Sequence, residues 1–204
     1  MSAFYRVLKI IAFPFVHLFF RIKTYGKENI PKENGVVLCC NHTSLSDIIL
    51  LGITCNRQIH FMAKKELFDI PVLKHLFRAL GGFPVDRRSS DKGAINHAFN
   101  ICEEGKILGI FPEGTRNRDG APKKAKAGAA MIALKTKADI LPVSIYRSNV
   151  KVYPFQKATV RYGEVVKYED YAADFKEDAM SKTALKNISI LIMNKITELW
   201  EKKH

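Results

Sequence analysis

Val36-Val37-Leu38-Cys39-Cys40-Asn41-His42-Thr43-Ser44-Leu45-Ser46-Asp47 is the stretch on which the fold turns. Val36–Cys40 is a short apolar run of the kind that forms a strand buried on both faces. Asn41–Asp47 is polar and turn-like, and apolar residues return at Ile48–Ile53, where a helix begins that Ser44 or Ser46 can cap. Buried strand, polar turn and helix make one unit of an α/β sheet. In open sheets of that class, functional groups collect where the strands end.

The same alternation continues on both sides. Arg21–Gly26 reads as a strand and Lys27–Gly35 as a polar turn, then Gln58–Ala63 as a second core strand. Leu73, Leu76, Phe77 and Leu80 follow Pro71 at helical spacing, and Gly81-Gly82 stops that helix ahead of a brief strand at Phe83–Val85. Ser89–Glu104 is helical, with Ile95, Ala98, Phe99 and Cys102 on one face. Ile107–Phe111 is a strand, Pro112–Ala121 a polar loop, Lys126–Lys137 an Ala-rich helix and Ile140–Ile145 another strand. Ala158–Tyr162 and Glu164–Lys167 read as late strands, and a final amphipathic helix starts near Ser181. The expected fold is α/β, a mixed, largely parallel sheet layered by helices.

Residues 1–22 stand apart from the domain expected over 23–204. Ala3–Phe20 is mostly apolar, but Arg6, Lys9, Pro14 and His17 interrupt it, so it is short and charged for a spanning helix. Phe4, Val7, Leu8, Ile11, Phe15, Leu18 and Phe19 form a wide apolar face, with basic residues at both ends. That pattern predicts a helix lying in a membrane interface, and hence a peripheral or monotopic protein on the cytoplasmic face of the cell membrane. Pro14 is expected to kink it.

Lys and Arg number 33 against 20 Asp and Glu, a net charge of +13. Such a field favours polyanions: nucleic acid, an anionic leaflet, or phosphorylated substrates. An aromatic-basic ribonucleoprotein strand and a recognition helix are both missing, which argues against nucleic acid. The 4 cysteines, Cys39, Cys40, Cys55 and Cys102, form no Cys-x-x-Cys pair. They read as small core hydrophobes in a reducing compartment, and no metal site is indicated.

Three polar clusters each follow an expected strand. In the first, Asp47 can fold back so that its carboxylate accepts from Nδ1 of His42, leaving Nε2 free to take a proton. Taken alone, that spacing is equally a loop histidine and a helix-start aspartate. The second is Phe111-Pro112-Glu113-Gly114-Thr115-Arg116, where Gly114 permits close backbone approach, Thr115 supplies a hydroxyl and Arg116 a planar fork for phosphate oxygens. The third, Gly82-Phe83-Pro84-Val85-Asp86-Arg87, delivers another arginine to the same edge.

Together these blocks resemble the glycerolipid acyltransferases, specifically the 1-acylglycerol-3-phosphate acyltransferase family. Asn41-His42-x4-Asp47 resembles the catalytic block, and Phe83-Pro84-Val85-Asp86-Arg87 the second. Phe111-Pro112-Glu113-Gly114-Thr115-Arg116 resembles the third, Leu141-Pro142-Val143 the fourth, and Met62-Ala63-Lys64-Lys65-Glu66-Leu67 the lysine-bearing segment. Pro84 and Ala125 depart from the usual pattern, which leaves acyl preference open. The resemblance implies transfer of a fatty acyl group from acyl-CoA or acyl-carrier protein to the sn-2 hydroxyl of lysophosphatidic acid. It implies His42 as general base, Asp47 as its orienting partner, and a phosphate site of Arg116, Arg87 and Lys64 shaped by Gly114 and Thr115. Glu113 would orient an arginine or accept from the glycerol. No cofactor beyond the thioester donor is expected. A non-catalytic lipid carrier would use the same arginines but not the His42–Asp47 pair; another lysolipid or glycerol 3-phosphate stays open as acceptor.

Overall fold

The computed structural model describes residues 3–86, 91–117, 119–149, 154–175 and 180–203. Among them seven strands make one sheet, ordered β1 (Phe20–Tyr25), β7 (Gln156–Tyr162), β6 (Asp139–Arg147), β2 (Val36–Cys40), β5 (Ile107–Ile110), β3 (Ile59–Lys64) and β4 (Gly82–Val85). The five strands from β6 to β4 are mutually parallel. β7 runs antiparallel to β6, and β1 pairs parallel with β7 at the far edge. The sheet is therefore mixed and largely parallel, as the sequence predicts.

Central β2 shows how the sequence builds three layers. Successive side chains of a strand point to opposite faces. Val36, Leu38 and Cys40 enter one apolar cluster with Leu50 and Leu51 of α2 (Ser46–Thr54), while Val37 and Cys39 enter the other. That second cluster lies under α4 (Lys92–Glu103), α5 (Gly128–Thr136) and α7 (Lys182–Glu201). An unbroken apolar strand is what burial on both faces requires. All four cysteines are free and buried, Cys39 and Cys40 within this core.

Two expectations change. Glu164–Lys167 is not a strand; only an isolated bridge joins Val166 to Ile140. Ile140 N–H donates to Val166, so the nitrogen of Pro142 two residues on faces the same side and has no proton to offer. The ladder with β7 accordingly starts only at Val143. Ser44 and Ser46 do not cap α2 as expected, since Leu45 occupies the cap position with no side-chain bond. Asp47 reaches back instead and takes the amides of Thr43 and Ser44 at 2.7 and 2.8 Å. A short helix, α6 (Tyr168–Ala172), follows the bridge and was not foreseen.

The N-terminal helix α1 (Ala3–Phe19) is continuous through Pro14 and lies against α2. Tyr5 Oη donates to the Gly52 carbonyl at 3.2 Å, and Lys9 turns inward to the Cys55 carbonyl. Phe4, Val7, Ile11, Phe15, Leu18 and Phe19 remain exposed, as do the cap residue Leu45 and Ile49 of α2 on the same side of the sheet. Among the described residues no helix is long and apolar enough to cross a membrane.

Candidate active site

The five parallel strands all end at one edge, and their last residues deliver the polar clusters there. β2 leads directly into Asn41 and His42. Asn41 carries the sheet one step beyond the ladder: its amide donates to the Ile145 carbonyl at 2.9 Å and its side-chain oxygen accepts from Ile145 N–H at 2.8 Å. A buried side chain thereby copies the pairing of a strand residue and fixes where His42 leaves the sheet.

His42 Nδ1 lies 2.9 Å from Asp47 Oδ2. The same oxygen already accepts two backbone amides, so an ionised Asp47 can only accept and Nδ1 carries the proton. The neutral ring then presents an unprotonated Nε2. Burial, the largest single influence, raises the Asp47 pKa. The hydrogen bond from His42, the charge of Arg147 and the Ser44 and Thr43 amides together outweigh it and hold the carboxyl below its usual value. The imidazole is stacked on Phe111 with centroids 3.9 Å apart, and Phe111 in turn on Phe61 at 5.8 Å.

Arg147, the last residue of β6, is the participant that sequence reading missed. Its Nη2 donates to Asp47 Oδ1 and to Ser46 Oγ (3.0 Å), and its Nη1 to Thr43 Oγ1 (2.7 Å). Its position at a parallel strand end, beyond the Leu141-Pro142-Val143 block, was the available signal.

Glu113 holds the second cluster against the first. Its Oε1 accepts from His42 N–H at 3.2 Å, and Asn117 N–H donates to the His42 carbonyl at 2.7 Å. Glu113 is thus bonded to the histidine backbone rather than to an arginine. Its Oε2 is buried without a hydrogen-bond partner, and burial raises its pKa against the opposing pull of the His42 amide, of His42 and of Lys123. Gly114 has φ +73°, and a Cβ there would stand 3.0 Å from the side chain of Lys126. Glycine thus admits Lys126 over the turn.

Two concavities meet at this turn. One, of about 420 Å³, contains His42, Gly114 and Lys126, with walls from Met62, Ile110 and Met131. The other, of about 1110 Å³, is lined by Thr115 and Arg116 and runs along α7. Lys64 ends β3 in an exposed pair with Glu66 at 3.0 Å. Arg87 lies outside the described residues. The structure therefore joins His42, Asp47 and Glu113, puts Gly114 and Thr115 on either side of one wall, and leaves Arg116 exposed in the larger cleft and Lys64 exposed at the end of β3. Among the described residues no group of three or more His, Cys, Asp or Glu side chains stands together as a metal site.

An oriented histidine at the strand ends of such a sheet, in a cavity that Lys126 also lines, is an arrangement able to take a proton from a hydroxyl beside an anion. The family model described as Acyltransferase matches residues 21–146, and the chain belongs to that family. It is 36% identical over 154 residues to the 1-acyl-sn-glycerol-3-phosphate acyltransferase of Bacillus subtilis, covering 74% of this chain and 76% of that one. The protein of the same name from Borreliella burgdorferi is 38% identical over 131 residues, covering 63% of this chain and 52% of the relative. The crystal structure of the 1-acyl-sn-glycerophosphate (LPA) acyltransferase PlsC from Thermotoga maritima superposes with a TM-score of 0.71 at 28% identity, over 96% of this chain and 78% of that one.

Proposed function

We propose that this protein transfers a fatty acyl group from a thioester to the sn-2 hydroxyl of 1-acylglycerol 3-phosphate, giving phosphatidic acid. The observation that carries the reading is the His42–Asp47 pair, held with one tautomer at the edge of a cavity. The relatives' shared name supports the acceptor.

A lipid hydroxyl is a poor nucleophile at neutral pH, so a positioned base contributes about 10²–10⁴ in rate. His42 Nε2 takes the hydroxyl proton as oxygen attacks the thioester carbonyl, and Asp47 stabilises the imidazolium. When the tetrahedral intermediate collapses, the C–S bond breaks and the same proton passes to the departing sulfur. The products are an ester and a thiol. No serine or cysteine nucleophile is required, because the acceptor hydroxyl takes that part. The acceptor phosphate is assigned to Lys126 and Arg116 at the Gly114–Thr115 turn, with Lys64 in support, and the resemblance adds Arg87 as a further cation.

The exposed apolar face of α1, with Leu45 and Ile49 beside the histidine, supports placing the site edge against a bilayer that supplies the lipid. α1 is then an interfacial element ahead of the catalytic domain, on the leaflet that faces the thioester pool. The test is acyl transfer to a panel of lysolipids and glycerol 3-phosphate, with His42→Ala as the blank. Preference for a headgroup-bearing lysolipid over lysophosphatidic acid would overturn the acceptor.

A further inference from the structure

The edge of the sheet opposite His42 carries a concavity that the proposed reaction does not use. It has a volume of about 590 Å³ and lies where β3 and β5 begin. Lys32 lines it from the loop before β2, Arg57 and His60 from either side of the start of β3, and Arg78 from the last turn of α3 (Pro71–Ala79). Lys106, just ahead of β5, completes the wall, and among the described residues no carboxylate stands in it. Glu104 offsets Lys106 from outside, but among the described residues Lys32, Arg57 and Arg78 pair with no acid. A cleft lined by one sign of charge focuses its field on an incoming counter-ion.

The cations are gathered by the fold itself. The Arg57 guanidinium donates to the carbonyls of Pro31 (2.8 Å), Glu33 (3.3 Å), Asn34 (3.1 Å) and Gly105. One side chain thereby fastens both neighbours of Lys32 to the residue ahead of Lys106, and it stays in place as a fixed positive charge. The carbonyls that end α3, which would repel an anion, are already occupied: Leu76 accepts from Leu80, Arg78 from Gly81, and Ala79 from the Gln58 amide at 3.3 Å. Gly81 has φ +88°, and a Cβ there would stand 3.3 Å from His60 Nδ1, so glycine keeps room beside the ring. The half-buried His60 is pushed down to about 4, first by burial and then by Lys106 and His97, against the opposing pull of Glu104. An added negative charge is what that surrounding lacks.

We infer that this pocket binds a soluble polyphosphate, taking a diphosphate group among Lys32, Arg78 and Lys106 beside His60. A lone phosphate, at about −1.5 to −2 charge near neutral pH, leaves part of the charge of Lys32, Arg57 and Arg78 uncompensated; a diphosphate comes closer to matching it. The pocket shares no lining residue with the His42 cavity or with the cleft along α7. The choice of a soluble anion over a lipid headgroup rests on the orientation proposed above, in which the His42 edge meets the bilayer and this edge faces away.

The test is calorimetric titration of the full chain with inorganic pyrophosphate and, in a second arm, with adenosine triphosphate. Tighter binding of pyrophosphate names the inorganic ion as the source, tighter binding of the triphosphate a nucleotide; binding of neither overturns the assignment. Lys32→Gln/Arg78→Gln changes two exposed side chains and is expected to raise Kd by about tenfold or more, less so in high salt. The charge-matched control Lys202→Gln/Lys203→Gln, at the exposed end of the chain, should bind as wild type does; an equal loss in both would reduce the effect to net charge and overturn the site. Pyrophosphate should also raise the pKa of His60, followed by the NMR shift of its Cε1 proton and assigned with His60→Gln. A ring that titrates unmoved places the anion elsewhere. KM for long-chain acyl-CoA and for lysophosphatidic acid should be the same in Lys32→Gln/Arg78→Gln as in wild type, and a rise in either would make the pocket part of a substrate site. Loss of binding to phosphatidylglycerol vesicles, with no pyrophosphate bound by wild type, would hand these cations to a membrane. Because binding is read without turnover, the pocket stands or falls separately from the acyl-transfer proposal.

Discussion

Arg147 and Asp47 form an ion pair across 100 residues of sequence, both side chains almost wholly buried. Asp47 is therefore held by both oxygens: Oδ1 by the guanidinium, Oδ2 by His42 and two amides. A carboxylate gripped in this way cannot rotate away from the imidazole. Arg147 is in this respect a positioning residue for the base.

Replacing Arg147 by Met leaves a buried carboxylate short of its counter-charge. Losing one partner of a buried pair typically costs about 3–5 kcal/mol. Urea unfolding of Arg147→Met is expected to show a loss of that order, with Arg147→Lys intermediate. The kcat of the Met variant should fall while its KM for lysophosphatidic acid holds. A stability within about 0.5 kcal/mol of wild type, in the ordinary range for a surface change, would show that the pair contributes little.

His42→Ala presents the opposite profile. Asp47 keeps three of its donors, the Thr43 and Ser44 amides and Arg147, so the turn keeps its shape. Acyl transfer should drop by about 10²–10⁴ with the circular dichroism spectrum unchanged. Retention of a tenth of the activity would remove His42 as the base.

The layered sheet was legible in the chain because its strands announce themselves: Val36–Cys40 matches β2 residue for residue. The His42–Asp47 pair was legible because both members lie within one strand-turn-helix unit. Arg147 was not. Nothing local marks an arginine at the end of an apolar strand as the partner of a residue 100 positions earlier; the pairing exists only through the register of β6 beside β2. Glu113 was seen but its bond to the His42 amide was not, because a backbone amide leaves no trace in side-chain patterns. The serine caps failed because Leu45 takes the cap position, while the one amide that Ser44 Oγ accepts is that of Ser46, at 3.3 Å, and Asp47 turns back to the Thr43 and Ser44 amides.

Glu113 supplies a pH signature. Its carboxyl is raised above the ordinary glutamate value of 4.5, chiefly by burial. A raised carboxyl favours the protonated folded state, so stability falls as pH climbs from the unfolded pKa through the folded one. Glu113→Gln keeps an oxygen for the His42 amide and removes the charge. The variant should gain in thermal midpoint over wild type as pH rises through that window, and the gain should vanish below about pH 4. A constant difference at every pH would exclude ionisation as the cause. If activity also falls at neutral pH, the free oxygen Oε2 serves a bound substrate.

Asp47 has the reverse sign. Its folded pKa lies below the ordinary 3.8, so its contribution is present above the unfolded value and is lost as pH falls through the lower folded one. Asp47→Asn should therefore flatten the acid limb of the stability curve while lowering stability at neutral pH. An acid limb as steep as that of wild type would place the titrating group elsewhere.

Phe15 and Leu18, each 68% exposed, stand on α1 with no protein surface to cover them. Full burial of such a side chain is worth about 1.5–3 kcal/mol. If the helix beds into a bilayer, Phe15→Ser/Leu18→Ser should weaken partition onto phosphatidylglycerol-containing liposomes by more than tenfold at equal charge. Because neither side chain helps to hold the sheet, the thermal midpoint in detergent-free buffer should not fall. Acyl transfer to a water-soluble short-chain lysophosphatidate should persist, since His42 and its cavity are untouched, whereas transfer to long-chain acceptor in liposomes should drop with binding. Undiminished liposome binding would mean that basic side chains alone hold the protein to the surface, and high salt would then release it.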